Sequence, residues 1–202
     1  MATDVRVILP GAVWLDGGAV NTGWSIIAWS PTEVVTDEAQ WPDQLRRLGQ
    51  PTTAPSSLPF DGGVIGYIGF GAGHVVESVL KCATTPEPKV WLGRYEGALC
   101  YNHLENSWHI GGDSEPVSKR ANELLQRAVP LSPPANGPQP LRVSSVCQHD
   151  YEQGVREIQC LITAGDCYQV NLTRAVSINY EENPDHFNLY RRLRTISDAS
   201  FG

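Results

Sequence analysis

Gly165-Asp166-Cys167-Tyr168-Gln169-Val170-Asn171-Leu172 is the stretch on which the reading of the chain turns. The glycine at its head suits the left-handed residue that closes a helix. Upstream, Tyr151, Val155, Ile158 and Ile162 recur at three- and four-residue steps, the apolar stripe of an amphipathic helix. Asp150, with Gln153 three residues on, reads as a capping box at the start of that helix. After Gly165 the period drops to two. Tyr168, Val170 and Leu172, then Val176, Ile178 and Tyr180, share one face. Gln169, Asn171, Thr173, Ser177 and Asn179 share the other, and Arg174 is the one break in the apolar face. This predicts a long strand with one face on a core and one polar face. Asn183-Pro184 predicts another helix start, with Phe187, Tyr190, Leu193 and Ile196 inward.

Working back from the helix, residues 130–140 hold five prolines in eleven positions. Proline fixes φ and removes a donor, so this segment predicts a linker and a domain boundary. Before it, Val117, Ala121, Leu124, Leu125 and Ala128 keep a helical period over 115–129, and Glu115-Pro116 suits the first turn. Residues 5–110 read mostly as strands and turns. Val5 to Leu9, Ala12 to Leu15, Trp24 to Trp29 and Val64 to Phe70 are apolar runs, and Asp16-Gly17-Gly18 is a turn signal. Tyr95 to Tyr101 and Ser107 to Ile110 flank Leu104-Glu105-Asn106 as a hairpin would. The fold class predicted is α+β. An antiparallel-sheet-rich domain spans 1–129, a linker 130–147, and a second domain opens at 148 and runs to 202.

The totals exclude several functions. Hydrophobic residues make up 41% and charged residues 18% of 202, enough for a core and too little charge for global disorder. The net charge of -7 without a basic cluster argues against nucleic-acid and anionic-membrane partners. Arg191, Arg192 and Arg194 read as a solvated helix face. Cys82, Cys100, Cys147, Cys160 and Cys167 form no CxxC pair and no zinc spacing, as expected of reduced thiols in a cytoplasmic protein. No apolar run reaches the ~20 residues that span a bilayer. Gly69-Phe70-Gly71-Ala72-Gly73 lacks the spacing of a dinucleotide loop, and there is neither a P-loop GK[ST] nor a GxSxG elbow.

Three blocks, in order along the chain, resemble the anthranilate synthase and aminodeoxychorismate synthase component I family of chorismate-binding enzymes. The first is Pro59 to Glu77, PFDGGVIGYIGFGAGHVVE, whose Gly62, Gly63 and Gly66 match a Pro-Phe-x-Gly-Gly-x-x-Gly-Tyr run of the family's N-terminal domain. Phe70-Gly71 departs from the Tyr-Asp usual there. The second is the helix with Gly165, Asp166, Gln169 and Asn171. The third is Arg194 to Gly202. These motif residues are read as structural. Within the family, Asn171 is more like aminodeoxychorismate synthase than anthranilate synthase.

The resemblance implies the first helix–strand–helix of the chorismate-utilising fold after the N-terminal domain. It implies 4-amino-4-deoxychorismate formation, toward p-aminobenzoate and folate, from chorismate and ammonia delivered by a glutamine amidotransferase. Mg²⁺ would neutralise carboxylate charge, and a lysine would attack the ring. The family places that lysine, the acid and the magnesium ligands in a more distal segment. Lys81, Lys89 and Lys119 lie outside its motifs, so no catalytic and no metal residue is assigned. The expectation is a chain truncated within the chorismate-binding domain, inactive alone, exposing apolar faces over 148–202. The family also implies an L-tryptophan effector pocket at Gly17, Asn21, Thr22, Gly23, Trp24, Ser200, Phe201 and Gly202. Serine is common where Gly17 stands, so a hydroxyl is missing; the competing reading makes these turn and core residues. Two further readings stay open: an anthranilate synthase component I, and a non-catalytic domain that binds an amino acid or the amidotransferase.

Overall fold

The structure is a computed structural model that describes residues 9–17, 23–50, 56–77, 89–128, 133–134 and 136–197. In chain order its elements are β1 (Val13–Leu15), β2 (Trp24–Ala28), β3 (Glu33–Val35), α1 (Trp41–Leu48), β4 (Gly63–Ile68), β5 (Val90–Tyr95), β6 (Ala98–Asn102) and β7 (Ser107–Gly111). There follow α2 (Glu115–Arg127), β8 (Pro140–Ser145), α3 (Gln148–Ala164), β9 (Val176–Tyr180) and α4 (His186–Arg194). A 3₁₀ turn, Phe70–Val75, follows β4. The chain divides into two compact units, Met1–Ser132 with Arg194–Gly202, and Pro133–Leu193. The class is α+β, with every described strand pair antiparallel.

In the first unit a four-stranded sheet runs β1-β2-β6-β7 and a three-stranded sheet β3-β5-β4. Directly paired residues share a face, so register sorts the side chains. Ile26 opposite Cys100 and Leu15, together with Ala28 and Ala98, faces the other sheet, where Ile65, Tyr95 and Trp91 meet it. The opposite face carries Ile27, Leu99 and Ile110 onto Val117, Ala121, Leu124 and Leu125 of α2. Beyond the second sheet, Val35, Val90 and Leu92 pack with Trp41, Leu45 and Leu48 of α1. The unit is thus four layers, helix–sheet–sheet–helix, in which each apolar face finds a cover.

Two readings of this region change. Tyr95 to Tyr101 is not one strand: β5 ends at Tyr95, Glu96-Gly97 turns, and β6 begins in the other sheet. Gly97 must be glycine there, because a Cβ would fall 2.1 Å from the Gly111 carbonyl oxygen. α1 also replaces an expected run of strands and turns. Its signal is Pro42 in the first turn with Trp41, Leu45 and Leu48 at helical steps.

The second unit departs further from expectation. α3 starts at Gln148, and its cap is Cys147, three residues before the expected cap Asp150; the Cys147 Sγ accepts from the Asp150 N–H at 3.4 Å. The helix closes at Gly165 in the left-handed conformation (φ 80°), as the sequence predicts. The long strand after it is shortened: residues 168–175 carry no ladder, and only β9 pairs, with β8. β8 itself lies in the segment read as linker. The second helix begins at His186 rather than Asn183-Pro184, with Asp185 Oδ1 accepting the Phe187 and Asn188 N–H groups at 2.9 and 3.3 Å. No described residue of 133–193 is buried. Tyr168 is 94% exposed, and Val143, Ile178, Ile162 and Leu193 are exposed as well. No helix among the described residues is long and apolar enough to cross a membrane.

Candidate functional site

The turn after β1 brings sequence-predicted residues into one polar cluster. β1 ends at Leu15, and Asp16 and Gly17 follow it into the protein, both buried. β2 starts opposite, so Trp24 and Ser25 lie at the same end of the sheet. The Gly17 N–H donates to Ser25 Oγ at 3.1 Å, and Ser25 Oγ donates to Asp16 Oδ1 at 3.0 Å. His103, on the β6–β7 turn, places Nε2 2.8 Å from Ser25 Oγ, while its own backbone N–H donates to the Gly23 carbonyl at 3.0 Å. Arg194 Nη2 donates to Asp16 Oδ1 at 3.1 Å. Its Nε lies against Oδ2 as an ion pair but is not aligned as a hydrogen bond. On the cluster's side of the sheet Tyr101 stands edge-on to His103 at 4.9 Å, while Trp24 and His109 pair edge-on at 5.3 Å on the opposite face, with Ile26 and Cys100.

Proton bookkeeping decides what this cluster can do. Ser25 has one hydroxyl proton. Given to Asp16, it leaves the Oγ lone pairs for the Gly17 N–H and an Nε2–H of His103. Given to His103, it would set two oxygen lone pairs against each other 3.0 Å apart at Asp16. The first arrangement satisfies the hydroxyl and the carboxylate oxygen together, with the Nε2–H tautomer of His103 as donor. A serine activated as nucleophile needs the opposite, a base accepting its proton. In the first arrangement the cluster orients and holds the turn after β1. The buried Cys100 is no nucleophile either, because burial pushes its thiol up to about 11.

Of the expected effector positions, Gly17 and Gly23 touch this cluster through their backbones, and Trp24 packs against the core on the opposite face of the sheet; Asn21, Thr22, Ser200, Phe201 and Gly202 lie outside the described residues. Sequence reasoning misses Asp16, Ser25, His103 and Arg194 as a group. Arg194, expected on a solvated face, is instead paired with a carboxylate whose side chain is 1% exposed. Gly62 and Gly63 adopt φ of 128° and 144° at the start of β4. Gly66 allows backbone contact with β5: a Cβ there would sit 2.0 Å from the Trp91 carbonyl oxygen. Phe70-Gly71, the departure from the family pattern, opens the 3₁₀ turn, and Phe70 is 91% exposed. Gly165, Asp166, Gln169 and Asn171 belong to the second unit. Leu172 there lies over Gly154, whose absent Cβ would meet its Cδ2 at 3.3 Å. Lys89 pairs with Glu38 at 2.8 Å, Lys119 lies on α2, and Lys81 is outside the described residues. Among the described residues no three His, Cys, Asp or Glu side chains converge on a common point.

A family model for chorismate binding enzymes matches residues 11–202. The chain belongs to that family. It is 28% identical to anthranilate synthase component 1 of Pseudomonas aeruginosa over 185 residues, covering 82% of this chain and 37% of the relative. It is 27% identical to aminodeoxychorismate synthase component 1 of Salmonella typhimurium over 151 residues, covering 71% of this chain and 31% of the relative. The crystal structure of anthranilate synthase component I from Streptococcus pneumoniae TIGR4 superposes with a TM-score of 0.68 at 23% identity, covering 86% of this chain and 45% of that one. That likeness concerns the fold. This chorismate-binding family member thus spans about two-fifths or less of the curated relatives it matches.

Proposed function

We propose that this chain serves as the front part of a component I chorismate-aminating synthase that forms 4-amino-4-deoxychorismate, with ammonia from a glutamine amidotransferase partner. The observation that carries this reading is the family match over 11–202 joined to a second unit with no buried described residue. A two-stranded sheet and two helices with uncovered apolar faces are what the opening of a larger two-layer domain would leave. Asn171 favours the 4-amino product over anthranilate. The name "component 1" of the relatives supports a second, ammonia-supplying component. On this reading none of Lys81, Lys89 and Lys119 is the family's nucleophile, because all three lie outside its motifs. Cysteines without pairing motifs suit a reducing, cytoplasmic setting. An L-tryptophan effector site around Gly17 is disfavoured on this reading, since Ser25 already takes the Gly17 N–H.

The second reading, anthranilate formation, is favoured by the P. aeruginosa relative, which matches over more of the chain than the aminodeoxychorismate synthase does. The test uses the gene product that carries these residues, purified with its amidotransferase and given chorismate, glutamine and Mg²⁺. A 4-amino-4-deoxychorismate product upholds the proposal. Anthranilate, seen by its fluorescence, overturns the choice of product. No turnover by a protein that still binds the amidotransferase overturns both in favour of a binding domain.

A further inference from the structure

The second unit holds an open cavity of about 360 Å³, a volume that suits a small molecule. Pro133 and Pro138 come to it from the segment expected as a linker, Tyr180 from the end of β9, and Asn188, Arg191 and Arg192 from α4. We propose that this cavity binds a small oxyanion, a phosphate or carboxylate group carried on a compact molecule.

Three observations carry this. The charged lining is two guanidiniums, Arg191 and Arg192, against one carboxylate, Asp185, so it is net positive within a chain of net charge -7. The carboxylate is already engaged, since Asp185 Oδ1 accepts the Phe187 and Asn188 N–H groups at 2.9 and 3.3 Å. Second, both guanidiniums are braced. Arg191 is partly buried and lies over the Phe187 ring at 5.9 Å, a cation–π contact. Arg192 sits against Gly137, where a Cβ would fall 2.4 Å from Nη1, so the missing side chain is what gives the guanidinium its place. Third, prolines form part of the wall, and a backbone with fixed φ loses little freedom when a ligand enters. Both arginines make other contacts as well. A guanidinium has five N–H donors in a planar fork, so contacts along one edge leave donors for a ligand, and the fork matches two oxygens of a carboxylate or phosphate. The Asn136 and Asn188 amides add donors at the same cavity. Arg191 and Arg192, read from the sequence as a solvated helix face, thereby gain a ligand. The inference needs neither the product nor the partner proposed above.

The test titrates inorganic phosphate, and separately malonate, into the full 202-residue chain at constant ionic strength, followed by amide chemical shifts. Saturable shifts at Gly137, Asn188 and Leu189 are expected, with a Kd in roughly the millimolar range. Arg191→Met and Arg192→Met should each weaken binding roughly tenfold or more, the range of a hydrogen bond to a charged group. Gly137→Ala should weaken it as well without changing net charge, because it displaces the Arg192 guanidinium. Arg156→Met removes the same charge from α3, outside the lining, and should leave the affinity unchanged. Equal weakening by Arg156→Met, or unsaturable shifts spread along the chain, would mark general charge attraction and overturn the proposal. Absence of a response to both anions overturns it too. Where a methionine variant loses its helical dichroism, Arg192→Lys decides instead: it keeps the charge, loses the fork, and should still bind more weakly than wild type. The tighter of the two probes tells whether the ligand's head group is a phosphate or a carboxylate.

Discussion

At the residue scale, two buried acids set how the protein responds to alkali. Tyr95 is 2% exposed and donates to the Gly11 carbonyl at 2.7 Å, and burial raises its phenol to about 12. Burial raises Cys100 to about 11, with Asp61 adding to it and the Phe60 backbone acting in the opposite direction. Below about pH 8 both groups are neutral in folded and unfolded chains, so they make no pH-dependent contribution. Above that the unfolded chain loses these protons first, and stability falls until the folded groups also ionise near 11 and 12. Urea midpoints should therefore drop steeply between about pH 9 and pH 12. Tyr95→Phe is expected to cost about 1 kcal/mol at neutral pH, for the lost hydrogen bond, and to flatten the alkaline slope. An unchanged slope in that variant would place the alkaline loss elsewhere. Gly66→Ala is a second residue-scale prediction. Its Cβ would meet backbone on β5, at 2.0 Å from the Trp91 carbonyl oxygen and 2.8 Å from Leu92 Cα, and backbone cannot swing away as a flexible side chain can. We expect a loss of about 3 kcal/mol or more, read from the same urea midpoint, because β4 and β5 must separate.

At the element scale, α3 depends on how it ends. Gly165 has φ 80° with open space around its Cβ position, so alanine would meet no neighbour and suffer only the cost of the left-handed backbone. Gly165→Ala is expected to destabilise the helix by about 1 kcal/mol, seen as faster amide exchange in its last turn, with Gly165→Asn costing less. Equal exchange in all three would mean that the Gly165 N–H bond to the Ile162 carbonyl does not hold the end. This cap is legible in the sequence because only a few residue types suit it. So are β2, whose apolar run sits between Gly23 and Pro31, and α2, whose period and Pro116 agree. Other elements are hidden for identifiable reasons. Alternation over Tyr168–Leu172 marks a chain able to be a strand, but a strand also needs a partner, and β8 pairs β9 alone. β8 is masked by the prolines before it: Pro140 opens a two-stranded sheet, where a missing donor is tolerated at the end. The polar cluster is the least legible part. Asp16, Ser25, His103 and Arg194 are common residues at unrelated spacings, and only the fold brings them together. Gly17 and Trp24 come from family resemblance, not from chemistry visible in the sequence.

At the scale of the whole molecule, the two units differ in how completely they close. The first covers both faces of both sheets, and its core includes Ile26, Val90, Leu92, Tyr95 and Leu99, each under 10% exposed. In the second, Val143 pairs directly with Ile178 across β8 and β9, and both are about half exposed. Exposed apolar area of this kind drives association at roughly 25 cal/mol per Å² removed from water. The expected behaviour of the 202-residue chain is concentration-dependent self-association in light scattering and binding of a hydrophobic dye. The paired change Val143→Thr with Ile178→Thr should lower both, because it places hydroxyls on the centre of the uncovered sheet while keeping β-branched side chains that suit a strand. Tryptophan fluorescence should not follow, since all six tryptophans lie between Trp14 and Trp108, in the first unit. Two unfolding transitions are then expected, a cooperative one reported by tryptophan and a broader one in far-ultraviolet dichroism from α3. A clean monomer at all concentrations with a single coincident transition would mean that the second unit covers its apolar faces in solution. That result would remove the ground for regarding those faces as the opening of a larger chorismate-binding domain.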